Sequence, residues 1–395
     1  MIPLMKNAFL NEIDTRDALA EFIRASSKFS MDTKCREFEQ KFSEYQGRIF
    51  SVLVNSGASA NLLLLQALKN LGRLNDGDKV GFSAVTWSTN TMPIMQLGMI
   101  PVPVDCKPET LNSMSENLLE TLKTEELKAF FITNALGFTG DMKIIRKECD
   151  ERGIILLEDN CESLGTELPE GKAGNFGLAS TFSFFVAHHM STIEGGMVCT
   201  DDDELAEMLM ISRANGWDRN LSAMQQQKWR SRFDIKSQFE AKYAFYELGY
   251  NLRPTEITGF LGLYQMQFLE ENIARRQENF MHIEKFVHSN NHFIPLDRSH
   301  INLLSNFALP MLCRTPELRE HYLKQFSGAG IEIRPIIAGN MAKQPFFKKY
   351  VKKHYSLPGA DFIHDCGFYC GNYPELNRAD LETISSCLIG SGQDG

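Results

Sequence analysis

At 395 residues, 43% hydrophobic and 23% charged, the chain has the make-up of an ordinary soluble globular protein, long enough for one large and one smaller domain. Its formal net charge of −9 is spread along the sequence, so no basic stripe tracks nucleic-acid phosphates and a DNA or RNA partner is excluded. Met1 to Asn11 carries one lysine and too short an apolar run for a signal peptide, and no stretch has the apolar length of a membrane span, so a cytoplasmic location is expected.

In chain order, Cys35, Phe38, Phe42 and Tyr45 recur at helical spacing and predict a helix packed on a sheet edge. From Ile49 to Cys199, short β-branched or apolar runs alternate with amphipathic stretches, the pattern of an α/β domain with a mostly parallel central sheet. The expected strands are Phe50–Val54, Lys79–Phe82, Ile100–Val104, Ala129–Thr133, Ile154–Glu158, Ser180–Phe185 and Gly196–Cys199, with a buried helix over Asn61–Asn70. Arg219 to Tyr250 is polar without a clean period and reads as a long surface segment. Pro254 fits the first turn of a helix running through Leu263 and Phe268. Ile283 to Gly395 has shorter elements, broken at Gly328-Ala329-Gly330 and Pro335, so the division expected is 1–282 for the large domain and 283–395 for the small one. The tail from Gly390 is expected to fray. Nine cysteines are scattered without a Cys-x-x-Cys pair, which predicts free thiols, Cys366 and Cys370 included, and no metal site.

Four segments carry chemistry. Val54-Asn55-Ser56-Gly57-Ala58-Ser59-Ala60 is a strand end, a small-residue turn and a helix start, which aims backbone N–H groups and a positive helix end at one point and so suits a phosphate. The apolar run Ile154 to Leu157 ends in Glu158-Asp159, placing carboxylates at the edge where open α/β sheets bind ligands. Trp87 follows a strand as a flat ring able to stack, although a lone tryptophan also serves as packing. Thr181 to Gly196 holds the pair His188-His189, then Glu194-Gly195-Gly196.

Taken together, these segments resemble the DegT/DnrJ/EryC1/StrS family of sugar aminotransferases, fold-type I (aspartate aminotransferase-like) enzymes that use pyridoxal phosphate. The resemblance implies a large domain with a mostly parallel seven-stranded sheet and a smaller C-terminal α+β domain. It implies that Gly57, Ala58 and Ser183 hold the cofactor phosphate, Ala58 lacking the family's hydroxyl. Trp87 would stack on the ring, and Asp159 would pair with the ring nitrogen, whose protonation makes the ring a better electron sink. Glu162 would lie beside the ring as an unusual carboxyl. In Gly249-Tyr250-Asn251-Leu252-Arg253, Asn251 would reach the cofactor phosphate of a neighbouring subunit, which implies a homodimer with shared sites. Arg253 would bind anionic substrate or cap its loop, and Arg334 would bind the carboxylate of glutamate. The Cys-x-Cys pair of the family's iron–sulfur dehydratase is missing, against a cluster.

Ser183 and Phe184 match the family's Ser-Phe-x-x-x-Lys run, but His188 stands in the lysine position. Lysine both anchors the cofactor covalently and shuttles a proton; imidazole does only the second. The resemblance narrows accordingly to the family's 3-dehydratases, shared through Glu158 to Ser163, His188-His189, Gly216-Trp217 and Arg219-Asn220, with Asn215 as a departure where relatives carry histidine. That implies non-covalent pyridoxal or pyridoxamine phosphate, removal of the C3 hydroxyl from a nucleotide-linked 4-keto-6-deoxyhexose, GDP-linked favoured, glutamate as amino donor and release of ammonia. His189 takes a structural role. The alternatives are an aminotransferase with a substitute amine, Lys172 being nearest in sequence, and a non-catalytic sugar-nucleotide binder.

Overall fold

The computed structural model describes residues 1–389, so the expected fraying from Gly390 lies outside the described residues. Five-residue runs rich in Val, Ile, Leu and Phe form seven strands of one sheet: β1 (Phe50–Val54), β2 (Lys79–Ser83), β3 (Ile100–Val104), β4 (Ala129–Thr133), β5 (Ile155–Asp159), β8 (Ala179–Ser183) and β9 (Gly196–Thr200), with β6 (Glu167–Leu168) and β7 (Gly171–Lys172) a small separate hairpin. The order is β1-β9-β8-β5-β4-β2-β3, and β9 alone runs against its neighbours. The mostly parallel seven-stranded sheet is therefore present.

Both sheet faces are covered, as parallel strands require. Because successive side chains alternate, Phe131 packs with Leu63, Leu64 and Leu157 on one side while Phe130 packs with Val102, Ile132 and Ile145 on the other. The helix Thr33–Gln46 buries Cys35, Phe38 and Phe42 against Leu53, Phe182, Phe184 and Met197 at the β1–β9–β8 edge, as its spacing predicts.

Several boundaries move, and two of the moves shape the site. The first core helix begins at Gly57 rather than Asn61, because Ser56 caps it by accepting from Ser59 N–H. Strand β5 ends on Asp159, which becomes a strand terminus, and β8 stops at Ser183, leaving Phe184 and Phe185 in the loop. The segment expected to be an irregular surface contains the helix Ala223–Arg232, started by a Ser222–Gln225 capping box and anchored by buried Trp229, whose indole N–H donates to Glu207 Oε1 at 2.6 Å. Pro254 precedes the cap Thr255 of the helix Glu256–Gln265, and a tighter turn over Met266–Phe268 separates it from the helix Leu269–Ser289.

Residues 282 and 283 lie inside that last helix. It joins two cores, Ile273 packing with the Phe38 cluster while Phe280, Ile283 and Val287 pack in a second one. The second core surrounds an antiparallel sheet of β10 (Ala308–Leu312), β11 (Ile333–Arg334) and β12 (Gly367–Gly371), ordered β10-β12-β11, with helices at Pro316–Gly328, Pro358–Cys366 and Arg378–Leu388. This is the smaller α+β region. All nine cysteines are free thiols. Among the described residues no helix is long and apolar enough to cross a membrane, and no cluster of His, Cys, Asp and Glu is placed to hold a metal.

Candidate active site

Parallel strands deliver their carboxyl ends to one edge of a sheet. On that edge the loops after β1, β2, β5 and β8 surround a cavity of about 470 Å³, closed from the other side by Phe307, Ile337 and Tyr369 of the second region. Gly57, Ala58, Trp87, Asp159, Glu162, Ser183 and His188 all line it.

One wall is a cradle of backbone. Gly57 and Ala58 form the first turn of the helix Gly57–Asn70, whose leading N–H groups have no partner within the helix and point outward with its positive end. Gly57 allows close approach, since a Cβ there would come within 2.7 Å of Ser183 Cβ. The Ser183 hydroxyl is thus beside the helix start, an arrangement that fits an anionic group.

The carboxylate Asp159 is buried and held by three donors: Asn61 Nδ2 and Asn90 Nδ2, each 2.8 Å from Oδ2, and Cys161 N–H, 2.9 Å from Oδ1. Asn61 accepts in turn from the Thr181 hydroxyl at 2.7 Å, and Asn90 from the Thr86 hydroxyl at 3.0 Å. Sequence reading missed both asparagines. Their signal was a polar side chain on an otherwise apolar helix face, legible for Asn61 ahead of the leucine block. Trp87 follows this carboxylate around the rim with 55% of its surface exposed, a ring with an open face.

His188 faces the cavity from a turn in which its own N–H donates to Phe185 O at 2.8 Å; the two histidines diverge because the chain turns here, not because it is extended. Phe185 and Phe307 stand edge-on to the imidazole with centroids 5.9 and 5.3 Å away, and Nδ1 has no hydrogen-bond partner. Burial pushes its pKa down to about 4, against the opposing pull of the Ser183 backbone and Asp159, so the ring is a neutral base at pH 7. His189 turns away, fully buried, with Nε2 3.1 Å from Ser305 O. The helix Leu269–Ser289 pins this turn: Asn272 donates to His189 O, and buried Arg276 donates to Phe307 O at 2.9 Å and His188 O at 3.4 Å. Sequence reading missed Arg276 and Asn272 because they act on backbone from a distant helix.

Glu162 lines the same cavity, and Oε2 accepts from Leu136 N–H at 2.9 Å. Burial, more than the nearby charge of Asp159, pushes its pKa up to about 8. Lys172 is elsewhere, donating to Tyr45 O at 2.7 Å and lying 3.7 Å over the Tyr45 ring, so it is no substitute amine, and no lysine is among the described residues lining the cavity. Asn251, Arg253 and Arg334 are not brought in. Asn251 and Arg253 are exposed and bonded to each other at 3.0 Å, while exposed Arg334 pairs in register with the cavity residue Tyr369 and ion-pairs with Glu332.

The residues fit pyridoxal phosphate: a backbone cradle for phosphate, a held carboxylate for the ring nitrogen, an open aromatic face, and an imidazole on the cavity wall in place of an amine. The profile of the DegT/DnrJ/EryC1/StrS aminotransferase family matches residues 12–389. GDP-4-keto-6-deoxy-D-mannose 3-dehydratase of Yersinia pseudotuberculosis is 36% identical over 354 residues, 88% of either chain. A crystal structure of GDP-4-keto-6-deoxymannose-3-dehydratase with a trapped PLP-glutamate geminal diamine superposes with a TM-score of 0.89 at 31% identity, over 98% of this chain and 100% of that one. A histidine-to-asparagine mutant of that enzyme with bound GDP-perosamine gives 0.88 at 30% identity, with the same coverage.

Proposed function

Because the chain belongs to the DegT/DnrJ/EryC1/StrS aminotransferase family, we propose that it works as the family's lysine-free variant: a 3-dehydratase dependent on pyridoxal and pyridoxamine phosphate. Its substrate is a nucleotide-linked 4-keto-6-deoxyhexose, GDP-4-keto-6-deoxy-D-mannose favoured, and glutamate restores the amine form of the cofactor. The observation that carries this is His188, an imidazole and not an amine on the wall of a cavity that otherwise fits the cofactor.

The bound cofactor supplies a conjugated ring that takes up the electrons of a broken C–H bond. The Gly57 and Ala58 N–H groups and the Ser183 hydroxyl would hold its phosphate, Asp159 would keep the ring nitrogen protonated, and Trp87 would cover the ring face. The His188 imidazole takes and returns the proton. Lacking an amine at that position, the chain would hold the cofactor by non-covalent contacts alone, and with no lysine to free an intact aminosugar from the cofactor, the sugar's nitrogen would be lost to water as ammonia.

A homodimer in the cytoplasm completes the reading. In the dimer Asn251 of one subunit reaches the phosphate of the other, and Arg253 and Arg334 contact the substrate and glutamate carboxylate. Phe239, Tyr243, Phe245 and Leu248 are exposed apolar groups close to Asn251 in sequence, which a second subunit would cover. Nine free thiols suit a reducing compartment. The test is a panel of GDP-, UDP- and CDP-linked 4-keto-6-deoxyhexoses with glutamate, read by mass spectrometry. A 3-deoxy-4-keto sugar with free ammonia is expected; an aminosugar rejects dehydration.

A further inference from the structure

Expelling a hydroxyl from carbon takes two proton transfers, one off a C–H bond and one onto the departing oxygen. His188 serves the first as a neutral base. Glu162, which lines the same cavity, has one carboxyl oxygen tied down: Oε2 accepts from Leu136 N–H, on a residue held at φ +56. That unfavourable backbone is locked in place, since the next residue, Gly137, approaches Ser305 so closely that a Cβ would lie 2.2 Å from its carbonyl oxygen. Oε1 has no protein partner among the described residues, and the side chain lines the cavity.

We propose that Glu162, through Oε1, is the general acid that protonates the departing C3 oxygen of the sugar while His188 acts as the base. This rests on the dehydratase reading. The balance is simple: the His188 imidazole takes a proton from carbon, the electrons of that C–H bond move toward C3, and the C3–O bond breaks with its pair on oxygen. That oxygen takes the Glu162 proton and leaves as water. Imidazolium and carboxylate remain, and they return to neutral imidazole and carboxylic acid as protons come back from the imidazolium to the sugar and from solvent to Glu162.

The other titratable groups on the wall are less suited. Asp159 has its oxygens engaged by three donors, and Glu194 is exposed. Burial raises the Cys161 thiol and the Tyr369 phenol, making both weaker acids, whereas Glu162 near 8 still holds a proton at neutral pH and can release it.

The variant Glu162→Gln tests this in the intact holoenzyme. Dehydration should fall by roughly 10² to 10⁴. A GDP-linked 3-deoxy-3-fluoro-4-keto substrate should restore elimination in the variant, because fluoride leaves without a proton. Without cofactor, the carbonyl stretch of a protonated carboxyl near pH 7 should be present in wild type and absent in Glu162→Gln. Unchanged dehydration in the variant, or equal loss with the fluoro substrate, overturns the assignment. If wild type instead makes an aminosugar, it is the dehydratase reading that fails.

Discussion

Placing an imidazole at position 188 removes the one group in the loop able to bond covalently to an aldehyde while leaving a proton acceptor at the same point. His188→Asn should therefore keep cofactor binding nearly intact and cut turnover by roughly 10² to 10⁴, measured by cofactor titration beside product formation; unchanged turnover would dismiss His188 as the base. His188→Lys should create a covalent cofactor adduct that borohydride makes permanent, so an unmodified protein mass after reduction counts against the loop assignment. The imidazole also leaves a mark on stability. Its folded pKa, about 4, lies below the ordinary 6.5, so the unfolded chain binds a proton that the folded one refuses. Stability from this group is full above about 6.5 and is lost as pH falls toward 4. In the cofactor-free chain, His188→Asn should accordingly narrow the drop in Tm between pH 7 and pH 4.5, and an identical drop in variant and wild type would contradict the burial of the ring.

At the scale of elements, the proposed phosphate cradle rests on the helix Gly57–Asn70 starting against β8. A Cβ at position 57 meets Ser183 Cβ at 2.7 Å and Cys161 Sγ at 3.0 Å, so the helix start would have to shift. Overpacking of this kind costs about 1–3 kcal/mol. Gly57→Ala should weaken pyridoxamine phosphate binding by roughly tenfold or more while the fold survives, since about 1.4 kcal/mol is tenfold in affinity. Equilibrium titration of the variant checks this, and an unchanged Kd would show that the cradle does not carry the phosphate. The helix Leu269–Ser289 has the complementary role, holding the histidine turn through Asn272 and Arg276 from the far side of the fold.

For the whole molecule, the proposed sharing of sites predicts complementation. His188→Asn and Asn251→Ala chains should each be impaired alone. Mixed equally under subunit exchange, they should recover about a quarter of the wild-type sites, since random pairing makes half the dimers mixed and one site in each intact. No recovery despite proven exchange would place Asn251 within its own subunit's chemistry or outside it altogether. By itself the sequence determined the strands, the small-residue turn after β1, the carboxylates closing an apolar run and the histidine pair in the loop after β8, because each is a local pattern: apolar runs with fixed period, small residues at a turn, a carboxylate closing an apolar run. The tertiary structure alone decided what those groups can do. Asn61 and Asn90 converge on Asp159 from two helices, Arg276 and Asn272 grip the histidine turn from a third, and Phe307 and Tyr369 close the cavity from the second sheet. Those contacts join residues tens to hundreds of positions apart, and burial within them is what drives His188 down and Glu162 up. A desolvated charge is a property of everything packed around it, and no local stretch of chain contains that information.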